Sequence, residues 1–525
     1  MNLIDALVVG LYLLVLFIIG LISARKSKDQ SAESFFLTNK TLPWFAIGFT
    51  IIASGISSEH FLGAVGYSYT FGLAVANWEW LNAPSLIILI VFFIPIYLRK
   101  NVVTMPQFLE MRFNHTVRLL FAIITILIYT FINLAGVIYS GGIALQGILD
   151  LDTIYVGVIT VTVIGGFFAI YGGMESVAWT NVFQAVLLLG GGLVVFIVGI
   201  NTVPGGLDEI LGSGHRAKLI LPSDDPEIPW TGLMVLTFST NIWFFCTNQS
   251  INQAALGAKN EWNAKMGIIF AGFLMIIIPL ADVFPGLIAY ALGLNPENSA
   301  GGTNSAYLDL VEHLLPVGLR GIVYAALCGA IISTIEAMSN ACSTIFTFDI
   351  YPAISKVRDD KQLIKTGRIT GILVLITAAL WTPVVGTFQH IFQYFQQCWA
   401  FIAIPAVIVF FLGILWKNFS DRAAVITLLL SFPMFLMPYF LNFFSIGLNA
   451  YIAAGYTLVI ILIFSILISI LLPNKDEKEV SGLIWASSLL KENDRSHPWY
   501  KTISFWAALL LVIYIGIYLY IEFLR

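Results

Sequence analysis

The feature that most constrains this chain is a succession of long, nearly uninterrupted apolar runs. A helix that crosses the hydrocarbon core of a bilayer needs roughly 20 apolar residues in sequence. About fourteen such runs can be read, at about 4–24, 43–69, 75–98, 117–145, 153–171, 177–200, 230–252, 264–293, 318–348, 367–386, 388–414, 420–441, 448–472 and 503–523. They are apolar on all sides rather than along one face, unlike the amphipathic helices of a soluble protein. Composition agrees: 58% of residues are hydrophobic and 11% charged, against about 45–50% and about 25% in soluble domains. No water-soluble fold of 525 residues can bury that excess. The expectation is an all-α integral membrane protein, one transmembrane domain over 1–525.

The first run has no basic residue ahead of it and no small-residue cleavage pattern after it, so it reads as a retained helix rather than a signal peptide. Cys246, Cys328, Cys342 and Cys398 all fall inside apolar runs, with no zinc or disulfide spacing. Of the 26 Lys and Arg, all but Arg216, Lys218, Arg320 and Arg525 fall on one side if the runs alternate across the bilayer. Basic residues concentrate on the cytoplasmic side, so the N-terminus is expected outside, in a multi-pass protein of the cell (inner) membrane in contact with lipid. The connection at about 201–229, with Val203-Pro204-Gly205-Gly206, reads as an ordered surface cap. The one at about 474–502 is charged and reads as mobile. Neither is long enough to hold a soluble domain, and no nucleic-acid partner is expected.

The interiors of two runs break the apolar pattern. The second contains Ala53-Ser54-Gly55-Ile56-Ser57-Ser58-Glu59-His60, small and polar, a poor helix in mid-span. Irregular backbone at membrane depth is tolerated only where protein or a cavity satisfies the freed groups. The seventh carries Ser239, Thr240, Asn241, Thr247, Asn248 and Gln249 at its middle. Interrupted helices in corresponding positions of two halves point to an inverted-repeat transporter with a midplane site. The expected repeats are runs 2–6, about 43–200, and runs 7–11, about 230–414, with peripheral helices at about 4–24 and 420–523.

Ionisable residues inside spans default to functional candidates. Glu59 reads either as a partner for the broken backbone or as a functional carboxylate. Glu79, in Trp78-Glu79-Trp80, reads as an interfacial residue among belt tryptophans or as an acceptor for cargo hydroxyls. Asp282 and Glu336 read as buried partners of polar groups on other helices. His60 and Glu59, adjacent on a helix, are expected to point different ways. Ser333 and Thr334, in Ala330-Ile331-Ile332-Ser333-Thr334, either bond back to their own helix or complete an oxygen cage for sodium with unwound carbonyls of the second run.

Several stretches together resemble the solute:sodium symporter family, and within it the bacterial sodium/sugar symporters, over about residues 30–475. They are Ser57-Ser58-Glu59-His60-Phe61-Leu62-Gly63; Gly72-Leu73-Ala74 with Trp78-Glu79-Trp80; Tyr171-Gly172-Gly173 with Trp179-Thr180-Asn181-Val182 and Gln184; Ala330 to Thr334 with Thr347-Phe348-Asp349-Ile350-Tyr351; and Phe392-Gln393-Tyr394-Phe395-Gln396. The resemblance implies a leucine-transporter-like fold of five-plus-five inverted repeats with discontinuous helices, working by alternating access. It implies a sodium site from the carbonyls of Ala53, Ile56 and Ala330 with the hydroxyls of Ser333 and Thr334. It maps substrate contacts onto His60, Glu79, Asn82, Asn133, Asn241, Met275 and Gln396, an inner aromatic gate onto Phe244, and an outer gate onto Trp78 and Phe392.

The sequence departs from the family pattern at His60 (for Gln), Met275 (for Lys), Phe244 (for Tyr) and Asn181 (for Asp). The loss of Lys argues against an anionic cargo, and Asn181 favours one sodium per solute. The resulting expectation is a secondary transporter, not an enzyme, that couples inward sodium movement to uptake of a small sugar or polyol. A sialic acid, carboxylate, amino acid or vitamin cargo, and proton coupling through His60 and Glu59, stand as alternatives. A channel or sensor on the same scaffold fits less well, because the polar residues cluster at one depth between aromatics rather than along a pore.

Overall fold

The protein is described from a computed structural model, over residues 2–26, 40–171, 174–212, 214–299, 301–355, 359–388, 390–443, 449–474, 480, 482–486, 489 and 498–524. Among these, secondary structure is helical throughout, apart from one isolated bridge between Leu42 and Ala258. Helix lies under each apolar run. We label the segments α1 (Leu3–Lys26), α2 (Trp44–Gly55 and Glu59–Phe71), α3 (Leu73–Arg99), α4 (His115–Leu149), α5 (Ile154–Tyr171) and α6 (Met174–Thr202). Then follow α7 (Trp230–Leu236 continuing to Gln249–Leu256), α8 (Glu261–Ala291), α9 (Leu319–Ile354), α10 (Asp360–Val385) and α11 (Ile391–Leu415). The last three are α12 (Asp421–Pro438), α13 (Ala450–Leu471) and α14 (Ile503–Phe523). Among the described residues, ten helices are by themselves long and apolar enough to cross a bilayer, eleven when the two parts of α2 are taken as one span.

The expected interruption of α2 is present. Its first half ends at Gly55, Ile56 is extended (φ −104°, ψ 119°), and the second half leaves at a bend of 56°. Backbone groups freed at such a break need partners where water is scarce. Ser57 N–H donates to His60 Nδ1 at 3.3 Å, and Glu59 N–H to Ser57 Oγ at 3.4 Å. Ser58 Oγ meets Ser140 Oγ on α4.

The seventh run is interrupted as well. Two π turns, Thr237–Asn241 and Trp243–Thr247, lead to an extended Asn248 (φ −76°, ψ 126°) before helix resumes. Asn248 Oδ1 accepts from Ser250 N–H at 3.0 Å and from the Tyr129 hydroxyl. Asn252 Nδ2 donates to the carbonyls of Phe245 and Asn248, each at 2.9 Å. Of the polar cluster noted in the sequence, Asn248 therefore serves the second broken backbone, helped by Asn252.

Charged residues secure helix ends around this centre. Asp5 accepts from Gly318 and Gly321 N–H at 2.7 and 2.9 Å, placing a carboxylate at the positive end of α9. Arg216, in the 201–229 connection, donates to the carbonyls of Thr70 and Tyr69 at 2.6 and 2.8 Å and caps the end of α2. That connection thus packs as an ordered cap. Most of the 474–502 connection lies outside the described residues, as do Gly172 and Gly173. All four cysteines are buried and free.

Arg112 is fully buried and forks onto the end of α11. It donates to Gly413 O at 2.6 Å, Trp416 O at 2.9 Å and Lys417 O at 3.1 Å. The last carbonyls of a helix have no intrahelical partner. Removing their donor is expected to destabilise this end of the bundle by on the order of 3 kcal/mol. Arg112→Leu should lower the melting temperature of the purified protein in detergent, and Arg112→Lys should recover only part of it because the planar fork is lost. Equal melting of Arg112→Leu and wild type would refute this role.

Candidate functional site

The break in α2 and the π turns of α7 border a cavity with about 510 Å³ of atom-free space, including its mouth. Its wall takes Ile51, Ile52, Gly55, Ile56, Glu59 and His60 from α2, and Trp78, Glu79 and Asn82 from α3. It takes Thr240, Asn241, Phe244 and Phe245 from α7, Met275 from α8, and Gln396 and Trp399 from α11. Polar side chains of α2, α3, α7 and α11 thus meet on one wall.

The closest polar contact in the cavity joins His60 Nε2 and Glu79 Oε1 at 3.0 Å, the two side chains being 12% and 10% exposed. Glu59 Oε1 lies 3.8 Å from His60 Nδ1. This corrects the expectation that Glu59 and His60 point different ways: the π turn that restarts α2 at Glu59 brings both onto the cavity wall. Glu79 belongs to the cavity rather than to an interfacial belt. Asn241 Nδ2 donates to Leu81 O at 3.2 Å, bridging α7 to α3. Thr240 Oγ1 and Trp78 Nε1 are buried without a hydrogen-bond partner among the described residues, an arrangement that favours a ligand carrying hydroxyls.

Of the expected contacts, His60, Glu79, Asn82, Asn241, Met275 and Gln396 line the cavity, and Asn133 does not. Asn133 Oδ1 instead accepts from Trp399 Nε1 at 3.1 Å and so holds the indole that forms part of the wall. Trp399 is three residues beyond Gln396, on the same face of a helix, a spacing that could have revealed it. Among the gates, Phe244 lines the cavity 5.8 Å from Trp399, and Trp78 lines it too. Phe392 stands behind Trp78, at 5.3 Å, and packs on Tyr67 at 5.4 Å.

The expected ion ligands also gather. Ser333 Oγ donates to Ala53 O at 3.0 Å and Ala330 O at 2.9 Å, and Thr334 Oγ1 donates to Ala330 O at 3.0 Å. The hydroxyls bond back along α9, and Ser333 also reaches the end of the first half of α2. Ile56 is three residues further on, at the break itself and on the cavity wall. These oxygens are neutral and buried, a donor set that fits an alkali ion. Nearby, Asn181 Nδ2 donates to Ser54 Oγ at 3.2 Å.

Glu336 receives a hydrogen bond from Thr180 Oγ1 at 3.4 Å, as expected of a buried partner. Asp282 departs from that expectation: neither of its oxygens has a hydrogen-bond partner among the described residues.

If Asn133 acts through Trp399, Asn133→Leu should strand a buried indole N–H and cost about 1–3 kcal/mol of stability, seen as a lowered melting temperature. Asn241→Ala, on the wall itself, should weaken cargo binding more than it lowers melting. The reverse ranking would return Asn133 to the cargo contacts.

The family model described as Sodium:solute symporter family matches residues 35–431. A sodium/glucose cotransporter of Vibrio parahaemolyticus is 34% identical over 485 residues, 87% of this chain and 88% of that protein. A human sodium/myo-inositol cotransporter is 32% identical over 466 residues, 80% of this chain and 64% of the relative. Among solved structures, a Na⁺-coupled sialic acid symporter in a substrate-bound outward-open state superposes with a TM-score of 0.79. At 22% identity over 91% of this chain and all of that one, this likeness concerns the fold, an all-α membrane bundle of the leucine-transporter type with discontinuous helices. The chain is a multi-pass membrane protein of the sodium:solute symporter family, with sodium as its coupling ion.

Proposed function

We propose that the chain carries a sugar or sugar-like polyol inward across the cell (inner) membrane by alternating access, driven by sodium, with fourteen spans and its N-terminus outside. The observation that carries the reading is the cavity wall. Glu79, Asn82, Asn241, Gln396 and Thr240 offer hydroxyl-bonding groups between the rings of Trp78, Phe244 and Trp399. Hydroxyl-rich rings are bound by such alternation of polar edges and aromatic faces, and a site built to bond hydroxyls rejects analogues that lack them. The printed functions of the relatives, glucose and myo-inositol cotransport, support the same class. Among the described residues, no Lys or Arg lines the cavity, which disfavours an anionic cargo.

In this reading His60, Glu79, Asn82, Asn241, Met275 and Gln396 contact the cargo, and Asn133 acts from behind. Trp78 with Phe392 closes the outer side and Phe244 the inner. Sodium sits on the carbonyls of Ala53, Ile56 and Ala330 and the hydroxyls of Ser333 and Thr334. Its ligands span α2 and α9, so binding draws the two halves of the broken helix and its neighbour together. The two repeats would run over about 43–200 and 230–414, between peripheral helices at about 4–24 and 420–523.

The test is uptake by proteoliposomes of a labelled panel of hexoses, inositols and sialic acid, under an inward sodium gradient and under an equal potassium gradient. One or more neutral polyols should accumulate with sodium alone. Accumulation of sialic acid alone, or of a neutral polyol equally with potassium, would overturn the reading. Glu79→Ala should abolish uptake in a protein that still melts cooperatively. The double variant Ser333→Ala, Thr334→Ala should raise the sodium concentration for half-maximal uptake at least about tenfold, the equivalent of one good ligand interaction of roughly 1.4 kcal/mol. Wild-type sodium dependence in that variant would remove the ion from this site.

A further inference from the structure

Asp282 is a carboxylate that neither the fold nor the sodium site uses. It is 1% exposed, and both its oxygens lack a hydrogen-bond partner among the described residues. Burying a charge without a partner is costly. The residue also closes the Glu261–Asp282 stretch of α8, at the carbonyl end of that helical segment, where the helix dipole opposes a negative charge. It stands seven residues, two turns, beyond Met275 and so on the same side of the helix as that cavity residue. One ligand atom each of Asp282, His60 and Glu79 lies within 4.8 Å of the other two. Glu59 adds a third carboxylate 3.8 Å from His60. Three carboxylates thus gather around a single imidazole, with no Lys or Arg on the cavity wall among the described residues. Even with His60 protonated, a formal charge of −2 is left if all three carboxylates are ionised.

We propose that Asp282 and Glu79, the latter held by His60, form a cation subsite beside the wall of the cargo cavity, and that its ligand is the protonated amine of an amino sugar or amino-polyol. The inference rests on the cavity being the cargo site and narrows the class of cargo. An ammonium group donates hydrogen bonds of about 2.7–2.9 Å to carboxylate oxygens. Two acceptors of one ammonium are then about 4.7 Å apart or less, and Asp282 and Glu79 bring carboxylate oxygens within 4.8 Å of each other. The polyol ring would lie between Trp78 and Phe244, its hydroxyls on Asn241, Gln396 and Thr240, with the amine turned toward α8. Asp282 then has the partner that the protein itself does not provide.

The experiment is competition against sodium-driven uptake of a labelled neutral hexose or inositol in proteoliposomes at pH 6.5. The competitors are glucosamine, galactosamine, mannosamine and an aminocyclitol, each beside its hydroxyl parent and its uncharged N-acetyl form. At least one amine should compete tenfold or more better than both its parent and its N-acetyl form. Asp282→Asn should bring that ratio close to one, and Asp282→Glu, which keeps the charge, should retain it. Equal competition by amine and parent in the wild type would overturn the proposal. So would a ratio unchanged in Asp282→Asn, or a loss in that variant of one sodium per transport cycle with the ratio intact, which would give the site to a second alkali ion. If Asp282→Asn does not fold, as judged by melting, the wild-type and Asp282→Glu ratios decide. If no neutral solute is taken up, the broader function has failed. The amine preference is then read directly, as quenching of Trp78 and Trp399 fluorescence by each amine and its parent, and its absence there overturns the subsite.

Discussion

The interruption of α2 at Ile56 is the constraint on which the rest of this structure depends. A continuous helix satisfies its own backbone and offers a membrane interior nothing to bind with. Once the chain is extended at Ile56, the end of the first half and the start of the second must be met by other groups. Ser333 meets the carbonyl of Ala53, and Ser57 and His60 meet the restarting turn. The same break turns Glu59 and His60 toward Glu79 on α3. The proposed ion ligands and the proposed cargo wall are consequently two sides of one discontinuity, separated by a few residues of α2. We propose this as the physical basis for coupling: whatever changes the position of Ala53 also moves the wall at Ile56 and His60.

The second interruption, at Asn248 in α7, plays a different part. Of its polar side chains, Asn252 and Asn248 bond to the broken backbone itself. Only Thr240 and Asn241, in the π turn one step earlier, reach the cavity. The two halves of the protein therefore contribute unequally. On the cavity wall, α2 and α3 supply Glu59, His60 and Glu79, while α7 and α11 supply Thr240, Asn241, Gln396 and the rings of Phe244, Phe245 and Trp399. The rigid frame around both is fixed by charges at helix ends, Asp5 at α9, Arg216 at α2 and Arg112 at α11.

Much of this was legible in the sequence, because bilayer length and apolarity leave few choices. The small polar stretch at Ala53–His60 announced the break, and Ser333 with Thr334 stood out as hydroxyls on an apolar helix. What was not legible was direction. The helix that carries Met275 and Asp282 is apolar around its circumference, so no periodicity tells which residues face inward. Asp282 was for that reason read as one more buried partner. The pairing of His60 with Glu79 joins residues 19 apart, across a bend whose angle the sequence does not specify. The resemblance assigns Asn133 to the cargo, yet Asn133 is off the cavity wall and holds the indole of Trp399, which is on it. Phe392, likewise, is one ring removed from the wall, behind Trp78.

The central claim is that ion and cargo share one broken helix, and thermodynamic linkage tests it most directly, since two ligands that favour the same state must raise each other's affinity by the same factor. The measurement is equilibrium binding of a transported polyol to the purified protein, with saturating sodium and again with potassium at equal ionic strength, using the fluorescence of Trp78 and Trp399. The account predicts at least tenfold tighter binding in sodium, with that difference lost when Ser333 and Thr334 are both replaced by alanine. Equal affinity in the two salts, or linkage that survives the double replacement, would contradict it.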